Sequence, residues 1–214
     1  SLQLLWIPDT TYHEFPEVGS PFEFTSRRII PQVPITALKD ADKPDNPFSD
    51  SDLGFALSSF VGGWDLSLNY LYHYLDAPIL PVRIRGPQWL QLEPEYGRSH
   101  LLGGSFSNAF GNLTFRGEIA YNTDSFQPTN TLVDGAVAGS AELSAVVGLD
   151  WAANIDTLVS AQFFNSYLFD HVDEMGRDEQ EQMLTLLYQQ DFANAAWRFR
   201  GIGIYSVNDG DSQL

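Results

Sequence analysis

Apolar and polar residues alternate along this chain with a period of two, most regularly from Trp64 to Leu75. Successive side chains of a β-strand point to opposite faces, so this alternation predicts strands with one apolar and one polar face. The same pattern returns from Leu113 to Asn122 and from Glu142 to Trp151. Less regular strands are predicted at Leu2–Ile7, Leu53–Val61, His100–Ala109, Thr157–Phe169, Met183–Asp191 and Ala196–Val207. The chain is therefore predicted to be all-β, with nine strands and no helix.

Short and long connections alternate between these strands. The short ones contain small residues, glycine or asparagine that suit tight hairpin turns, and they lie at 62–63, 110–112, 152–155 and 192–195. The long ones span 8–52, 76–99, 123–140 and 170–182. This order places all the long loops at one end of an up-and-down meander. Outer-membrane barrels have the same asymmetry, with short periplasmic turns and long extracellular loops.

Aromatic residues form two rows across the predicted strands. Trp64 and Trp197 follow short turns closely, and Trp151 precedes one. Tyrosines lie toward the long-loop end, at Tyr70, Tyr72, Tyr74, Tyr121, Tyr167 and Tyr205. Ten residues that each rise ~3.3 Å at a tilt of ~40° span roughly 25 Å, the height of the apolar band on membrane barrels. The rows then correspond to interfacial girdles, which predicts an antiparallel up-and-down transmembrane β-barrel.

The main alternative is a soluble extracellular β-sandwich that binds a glycan or a protein partner. In that fold, one water-free core contains Leu66, Leu68, Phe115 and Val147. The nine predicted strands do not suit a complete barrel, because single-chain bacterial barrels have an even number of strands. An open sheet in lipid also leaves two unpaired edges. We therefore expect residues 1–214 to be one segment of a larger barrel, with association of several copies as the less favoured arrangement.

Composition narrows the classes of partner. The 11 Lys and Arg residues against 28 Asp and Glu residues give a net charge of −17, which repels nucleic-acid phosphates. Cysteine is absent, which excludes disulfide scaffolds, thiolate metal sites and cysteine nucleophiles. The chain contains no run of 18 or more apolar residues, so the sequence predicts no transmembrane helix. The partners expected for a barrel are outer-membrane lipid, lipopolysaccharide and a small-molecule solute, with no nucleic acid.

Polar side chains of both charge signs fall on the strand faces opposite the apolar ones. In a barrel they point into the lumen, where they set the field and the size limit that a solute meets. The lumen-lining candidates are Asp65, Asn69, His73, Arg116, Glu118, Glu142, Asp150, Gln162, Arg198 and Arg200. An equally weighted alternative is that Arg116, Glu118 and Glu142 pair with one another or with a plug.

The 170–182 connection is strongly acidic and contains one arginine. Carboxylate oxygens are the ligands that calcium prefers. The weak candidates for a loop-bound divalent cation are Asp170, Asp173, Glu174 and Asp178. Their spacing matches no calcium loop, so solvated loop charge is favoured and no cofactor is expected. An acid–base group around His171 is a minor hypothesis, because no Gly-x-Ser-x-Gly elbow accompanies it, and we expect no enzymatic activity.

The 8–52 connection is long and rich in proline, which disfavours regular strand pairing. A loop of this length in a compact fold is usually functional or disordered. We expect this connection to fold over or into the lumen and to constrict it.

Two parts of the chain carry a family resemblance. The first is Leu-Trp-Ile-Pro at 5–8 with Phe-Pro-Glu-Val-Gly-Ser-Pro-Phe at 15–22, and the second is the strand pair at 100–106 and 115–121. They resemble the loop signature and the repeated hairpin of a large proteobacterial family of porin-like outer-membrane proteins with a long domain of unknown function. The resemblance implies a passive channel or hydrophobic-substrate transport in the outer membrane of a Gram-negative bacterium. The expected function is a channel or transporter-like barrel for a small, apolar or amphipathic solute.

Overall fold

A computed structural model describes residues 1–8, 35–38, 43–86, 89–208, 210 and 212–213. Side chains are described in all of these ranges except at 35–38, 89 and 212–213. Most of the long proline-rich connection, with its predicted position over or within a lumen, lies outside the described residues.

The described residues form two β-sheets. In chain order the strands are β1 (Leu2–Ile7), β2 (Ile35–Leu38), β3 (Asp52–Val61), β4 (Trp64–Tyr74), β5 (Val82–Gly86), β6 (Trp89–Leu92), β7 (Arg98–Phe110), β8 (Leu113–Pro128), β9 (Val137–Asn154), β10 (Thr157–Leu168), β11 (Gln180–Phe192), β12 (Trp197–Ser206) and β13 (Ser212–Gln213). The large sheet has the order β1-β3-β4-β7-β8-β9-β10-β11-β12-β13, and the small one has the order β2-β6-β5. All neighbours in the large sheet are antiparallel, and its last strand has only two residues. The prediction of an all-β chain with nine main antiparallel strands is confirmed.

In the part of the chain that the structure describes, no helix has the length and apolar character needed to cross a membrane.

Tight turns join neighbouring long strands at one end of the large sheet. Gly62 and Gly63 adopt φ of 60° and 87° between β3 and β4, and Gly111 adopts φ of 63° between β7 and β8. Residues 155–156 join β9 to β10. The turn between β11 and β12 has positive φ at residues 193–195, which are Ala, Asn and Ala rather than glycine. The short turns thus lie where the sequence predicts them.

Three of the predicted long loops contain paired strands. In the 8–52 connection, β2 pairs in parallel with β6. The 76–99 connection folds back as the β5–β6 hairpin, which backbone hydrogen bonds between Ile79 and Glu95 extend. In the 123–140 connection, β8 continues to Pro128 and pairs with β9 from Val137 onward. These three connections therefore contain paired strands as well as loops. Such short paired stretches, with proline at their ends, have no long alternation that would reveal them.

The strand register divides the large sheet into an apolar face and a polar face. Facing residues of antiparallel neighbours point to the same side, so Leu57, Leu68 and Gly104 share one face. We call this side the apolar face. Its exposed side chains include Leu4, Trp6, Leu57, Leu66, Leu68, Leu102, Phe110, Phe115, Ile119, Val147, Leu149, Trp151, Leu186, Phe192, Trp197 and Phe199. Exposed apolar side chains therefore extend across the sheet from β1 to β12.

No second sheet packs against the apolar face within the described residues. The buried apolar side chains are Leu90, Ala136, Leu168 and Met175, none of which lies on that face. The residues that the sandwich alternative places in a water-free core, Leu66, Leu68, Phe115 and Val147, are between 37% and 44% exposed. The core expected for a sandwich is thus missing from the described part of the chain. Backbone ladders and cross-strand side-chain contacts hold these strands together.

The large sheet does not close on itself within the described residues. β1 pairs with β3 alone, and β12 pairs with β11 and the short β13. The described strands therefore form an open sheet with two edges.

Candidate functional site

All ten residues predicted to line a lumen lie on the same face of the large sheet. Asp65 faces Ser107, which faces Arg116, and the row continues through Gly148 to Gln162. Alternation and register place the other candidates on this side as well: Asn69, His73, Glu118, Glu142, Asp150, Arg198 and Arg200. We call this side the polar face. One surface thus collects charged side chains from β4, β8, β9 and β12, together with the amide of Gln162 from β10.

Arg116 and Asp150 form an ion pair on the polar face, between the central strands β8 and β9 and close to their short-turn ends. The Arg116 Nε donates to Asp150 Oδ2 at 2.8 Å, and both side chains are only partly exposed. Gly148 of β9 lies between Arg116 and Gln162 on the neighbouring strands. A Cβ at this position would stand 3.3 Å from Gln162 Cγ and 3.6 Å from Arg116 Cγ. The glycine therefore leaves room for both long side chains to lie across β9.

A second ion pair lies at the short-turn end of the same face. Arg198 donates to both carboxylate oxygens of Asp191, at 2.6 Å and 2.8 Å. The neighbouring Arg200 donates to Gln189 Oε1 at 2.7 Å. Bidentate pairing fixes the plane of a guanidinium group. These two arginines are therefore held against β11.

Glu142 binds an arginine that sequence reasoning did not select. Arg177, from the acidic connection, donates from Nη1 to Glu142 at 2.9 Å and from Nη2 to Ser166 Oγ at 2.5 Å. Ser166 Oγ donates in turn to Glu142 at 2.6 Å, and Arg177 Nε lies 3.0 Å from a carboxylate oxygen of Glu181. The one sequence signal for this role is that Arg177 is the single cation among the carboxylates of its segment. This cluster attaches the acidic connection to the long-connection end of the polar face.

The alternative pairing of Arg116, Glu118 and Glu142 with one another is not formed. Arg116 binds Asp150, and Glu142 binds Arg177. Asp65 and Glu118 are exposed, and neither has a hydrogen bond or an ion pair to any described residue. Glu118 nevertheless interacts through its charge with Arg116 on the same strand. Among the described residues, Asp65 therefore remains a carboxylate without a cationic partner, which attracts cations to this face.

Two cavities adjoin along the polar side of the sheet. The larger has a volume of about 550 Å³ and lies at the long-connection end, between the β5–β6 hairpin and the extended ends of β8 and β9. The smaller, of about 370 Å³, lies closer to the short turns beside Asn69, Glu118 and Phe164. Leu101 lines both, so the two cavities meet at that side chain.

The described end of the proline-rich connection is fixed against β4 and β7. Arg98 Nη2 donates to the Ser49 carbonyl at 2.9 Å, and the guanidinium carbon lies 4.0 Å from the centre of the Tyr74 ring. The Asn46 backbone N–H donates to Asp50 at 3.0 Å and holds the pKa of the Asp50 carboxyl below its ordinary value. This end of the connection therefore has a defined position next to the long-connection end of the sheet.

The acidic connection does not bring its weak metal candidates together. Asp170, Asp173, Glu174 and Asp178 are all exposed. In the described part of the chain, no group of three or more His, Asp or Glu side chains is placed to hold a metal ion. The His171 Nε2 donates to the Arg177 carbonyl at 3.0 Å and makes no hydrogen bond to a neighbouring carboxylate. The geometry of the hypothetical acid–base group is therefore not present.

A scan against protein-family models, a search of curated proteins and a search of solved structures found no match to this chain. The resemblance to the porin-like outer-membrane family stays a prediction.

Proposed function

We propose that this chain forms part of an outer-membrane β-barrel channel or transporter that passes or binds a small, apolar or amphipathic solute. The observation that carries the proposal is the exposed apolar face that runs across the sheet, opposite a face that collects ten polar residues. An uncovered apolar surface of this width is unfavourable in water, whereas a bilayer supplies hydrocarbon against it. Membrane barrels have this apolar-out, polar-in division.

The height of the apolar face agrees with a bilayer. From Trp64 to Tyr74, β4 rises through ten residue steps, which span roughly 25 Å at ~3.3 Å each and a tilt of ~40°. Trp151 and Trp197 lie near the short turns, at one end of this height, and are 49% and 75% exposed. Amphipathic rings at the two ends of the apolar band favour a position at the headgroup level.

The two edges of the large sheet require partners in a membrane. Unpaired backbone N–H and C=O groups in hydrocarbon each cost several kcal/mol. We therefore propose that additional strands pair with β1 and with β12 or β13. Further sequence or other copies of the chain would supply them.

In this arrangement the polar face lines the lumen, and the long connections lie at the cell surface. Asp65 then acts on passing ions, because its carboxylate is not neutralised by a described cation. The exposed carboxylates of the acidic connection would meet lipopolysaccharide, whose phosphates are bridged to carboxylates by divalent cations. The proposed partners are thus outer-membrane lipid, lipopolysaccharide and a small solute.

Membrane reconstitution tests this proposal. The purified chain is added to lipid vesicles, which are separated by flotation and assayed in planar bilayers for single-channel conductance. We expect flotation that persists in high salt and carbonate, together with discrete conductance steps. Salt-resistant flotation indicates burial in hydrocarbon, because electrostatic attachment to headgroups is screened.

A soluble protein would contradict the proposal. If the chain stays in the aqueous fraction without detergent and forms a monodisperse species, another surface must cover its apolar face. The sandwich-type binding module would then be the better account. Flotation without conductance would indicate a membrane protein and would exclude a channel that copies of this chain form by themselves.

A further inference from the structure

The larger cavity has the composition of a small-molecule site. Its apolar lining includes Leu75, Ile79, Leu92, Phe126, Leu132 and Val137. Its volume of about 550 Å³ lies within the usual range for pockets that hold small ligands, about 300–1,000 Å³. Apolar walls of this kind favour a ligand with a mainly hydrocarbon body.

Close packing shapes this cavity. Gly97 lies where a Cβ would stand 2.9 Å from Ile79 Cδ1 and 3.2 Å from Phe126 Cε2. Gly135 lies similarly close to Pro81, at 3.1 Å, and has φ of 77°. These glycines allow the β5–β6 hairpin and the β8–β9 connection to approach each other. The cavity is therefore bounded by elements packed in van der Waals contact.

His73 places a polar atom next to this apolar cavity. Its Nδ1 lies 2.8 Å from the Tyr74 carbonyl oxygen, which can only accept, so Nδ1 must carry the hydrogen. In the neutral ring Nε2 is then a hydrogen-bond acceptor. This atom is shielded from solvent and has no partner among the described residues, although His73 itself lines the cavity. A shielded acceptor without a partner is unfavourable, so a hydrogen-bond donor on a bound ligand is stabilising there.

Two carboxylates in the lining disfavour an anionic ligand, and the other polar side chains apart from His73 are uncharged: Asn122, Ser125 and Gln127. Asp76 and Asp124 both contribute to the lining, and none of the described lining residues is Lys or Arg. A carboxylate or phosphate would approach these two acids without a compensating cation, which is unfavourable at low dielectric. A neutral hydroxyl both avoids this repulsion and supplies a donor.

We infer that this cavity binds an uncharged, mainly apolar molecule with one hydroxyl donor, such as a long-chain alcohol, whose hydroxyl donates to His73 Nε2. Binding includes a small turn of the ring toward the cavity. Leu101 connects this cavity to the smaller one along the polar face, which would make it the first binding site of a transported solute. This role in transport rests on the proposed function. The binding itself requires only the described residues.

Photolabelling with a matched pair of ligands tests the inference. The probes are a twelve-carbon alcohol that carries a diazirine and its methyl ether, which has the same chain without the donor. They are titrated against the full chain in vesicles, and adducts are located and quantified by mass spectrometry. We expect adducts at Phe126 or Leu132 and a roughly three- to tenfold tighter binding of the alcohol, the value of one hydrogen bond.

Three variants assign the effect to this site. His73→Phe keeps a ring but removes the acceptor, so the preference for the alcohol should disappear. His171→Phe removes a histidine outside the cavity and should leave the preference unchanged. Leu132→Trp fills the cavity and should weaken both ligands, which keeps the test decisive if His73→Phe does not fold.

The possible contrary results are distinct. Adducts confined to the apolar face, or equal binding of alcohol and ether to the wild-type chain, would overturn the inference. Tighter binding of the corresponding fatty acid would overturn the assignment to an uncharged ligand. Conductance measured on the same vesicles separates the two proposals. Conductance without cavity adducts refutes only the binding site, and cavity adducts without conductance refute only a channel that copies of this chain form by themselves.

Discussion

At the residue scale, consecutive side chains of β4 meet opposite environments. Leu68 belongs to the apolar face, is 44% exposed and lies near the middle of the strand, whereas Asn69 belongs to the polar face. If the apolar face meets lipid, Leu68→Arg should lower the free energy of unfolding by about 2–4 kcal/mol, the cost of arginine near the bilayer midplane. Urea titration of the chain in vesicles measures this change.

The adjacent substitution is the matched control. Asn69→Arg adds the same side chain one residue further along, toward the smaller cavity, where water and carboxylates can solvate it. We expect its effect to stay below about 1 kcal/mol, as is usual for a substitution at a solvated position. Equal losses in the two variants would mean that the faces are assigned incorrectly.

Ion selectivity also depends on a single residue. Asp65 has no cationic partner among the described residues, so its charge acts on any ion that passes along the polar face. A unit charge about 8 Å from an ion contributes ~0.5 kcal/mol in water, which corresponds to roughly a twofold change in relative permeability. Asp65→Asn should therefore reduce the cation-to-anion permeability ratio by about this factor, as measured by reversal potentials in a salt gradient. Asp156→Asn, in an exposed short turn, should leave the ratio unchanged.

At the element scale, Arg177 links the acidic connection to β9 and β10. Its side chain is 16% exposed, and Glu142 is 15% exposed, so Arg177→Met leaves a shielded carboxylate without its cation. Hydrogen bonds to charged groups contribute about 1.5–3 kcal/mol, which predicts amide exchange more than tenfold faster at residues 172–176. Hydrogen–deuterium exchange measures this directly. Arg198→Met breaks the exposed ion pair at the other end of the sheet and is the control, for which these amides should not change.

A different pattern would contradict the linking role. If exchange rises equally along β10 and β11, Arg177 stabilises the sheet as a whole. If no amide changes, backbone contacts such as Gly176 N–H to Pro128 O hold the connection without its help.

The strands and the two faces of the sheet could be predicted because both follow from local alternation. The pattern from Trp64 to Tyr74 assigns each side chain to a face before any partner strand is known, and the register then keeps Asp65 and Arg116 on the same side. The short turns were equally predictable, since glycine readily adopts the positive φ that Gly62 and Gly63 have in the structure.

The site details could not be predicted, since they depend on contacts between distant segments. Arg116 had several possible carboxylate partners, and only the register brings Asp150 within reach across Gly148. The larger cavity was missed because the 76–99 segment is predicted only as a long connection, whereas it folds back as a hairpin beside Phe126. Alternation gives the face of a residue such as His73 but not what lies above it.

At the scale of the whole molecule, the orientation of the sheet in a bilayer follows from the depth of its aromatic residues. Trp151 lies on the apolar face near the short-turn end, and Leu149 lies two residues farther from that turn on the same face. Lipids brominated at defined carbons quench tryptophan fluorescence according to depth. In a variant with Trp151 as its only tryptophan, quenching should be strongest for bromines close to the headgroup.

Moving that tryptophan along the strand gives the decisive comparison. Two residues rise ~6.6 Å, or roughly 5 Å along the bilayer normal at a tilt of ~40°. In a variant whose only tryptophan is introduced by Leu149→Trp, the fluorescence should therefore be quenched most by bromines placed deeper in the acyl chain. If Trp151 and the Leu149→Trp position show the same depth, β9 lies parallel to the membrane surface. If neither is quenched, the apolar face meets protein, and the sheet does not contact hydrocarbon at β9.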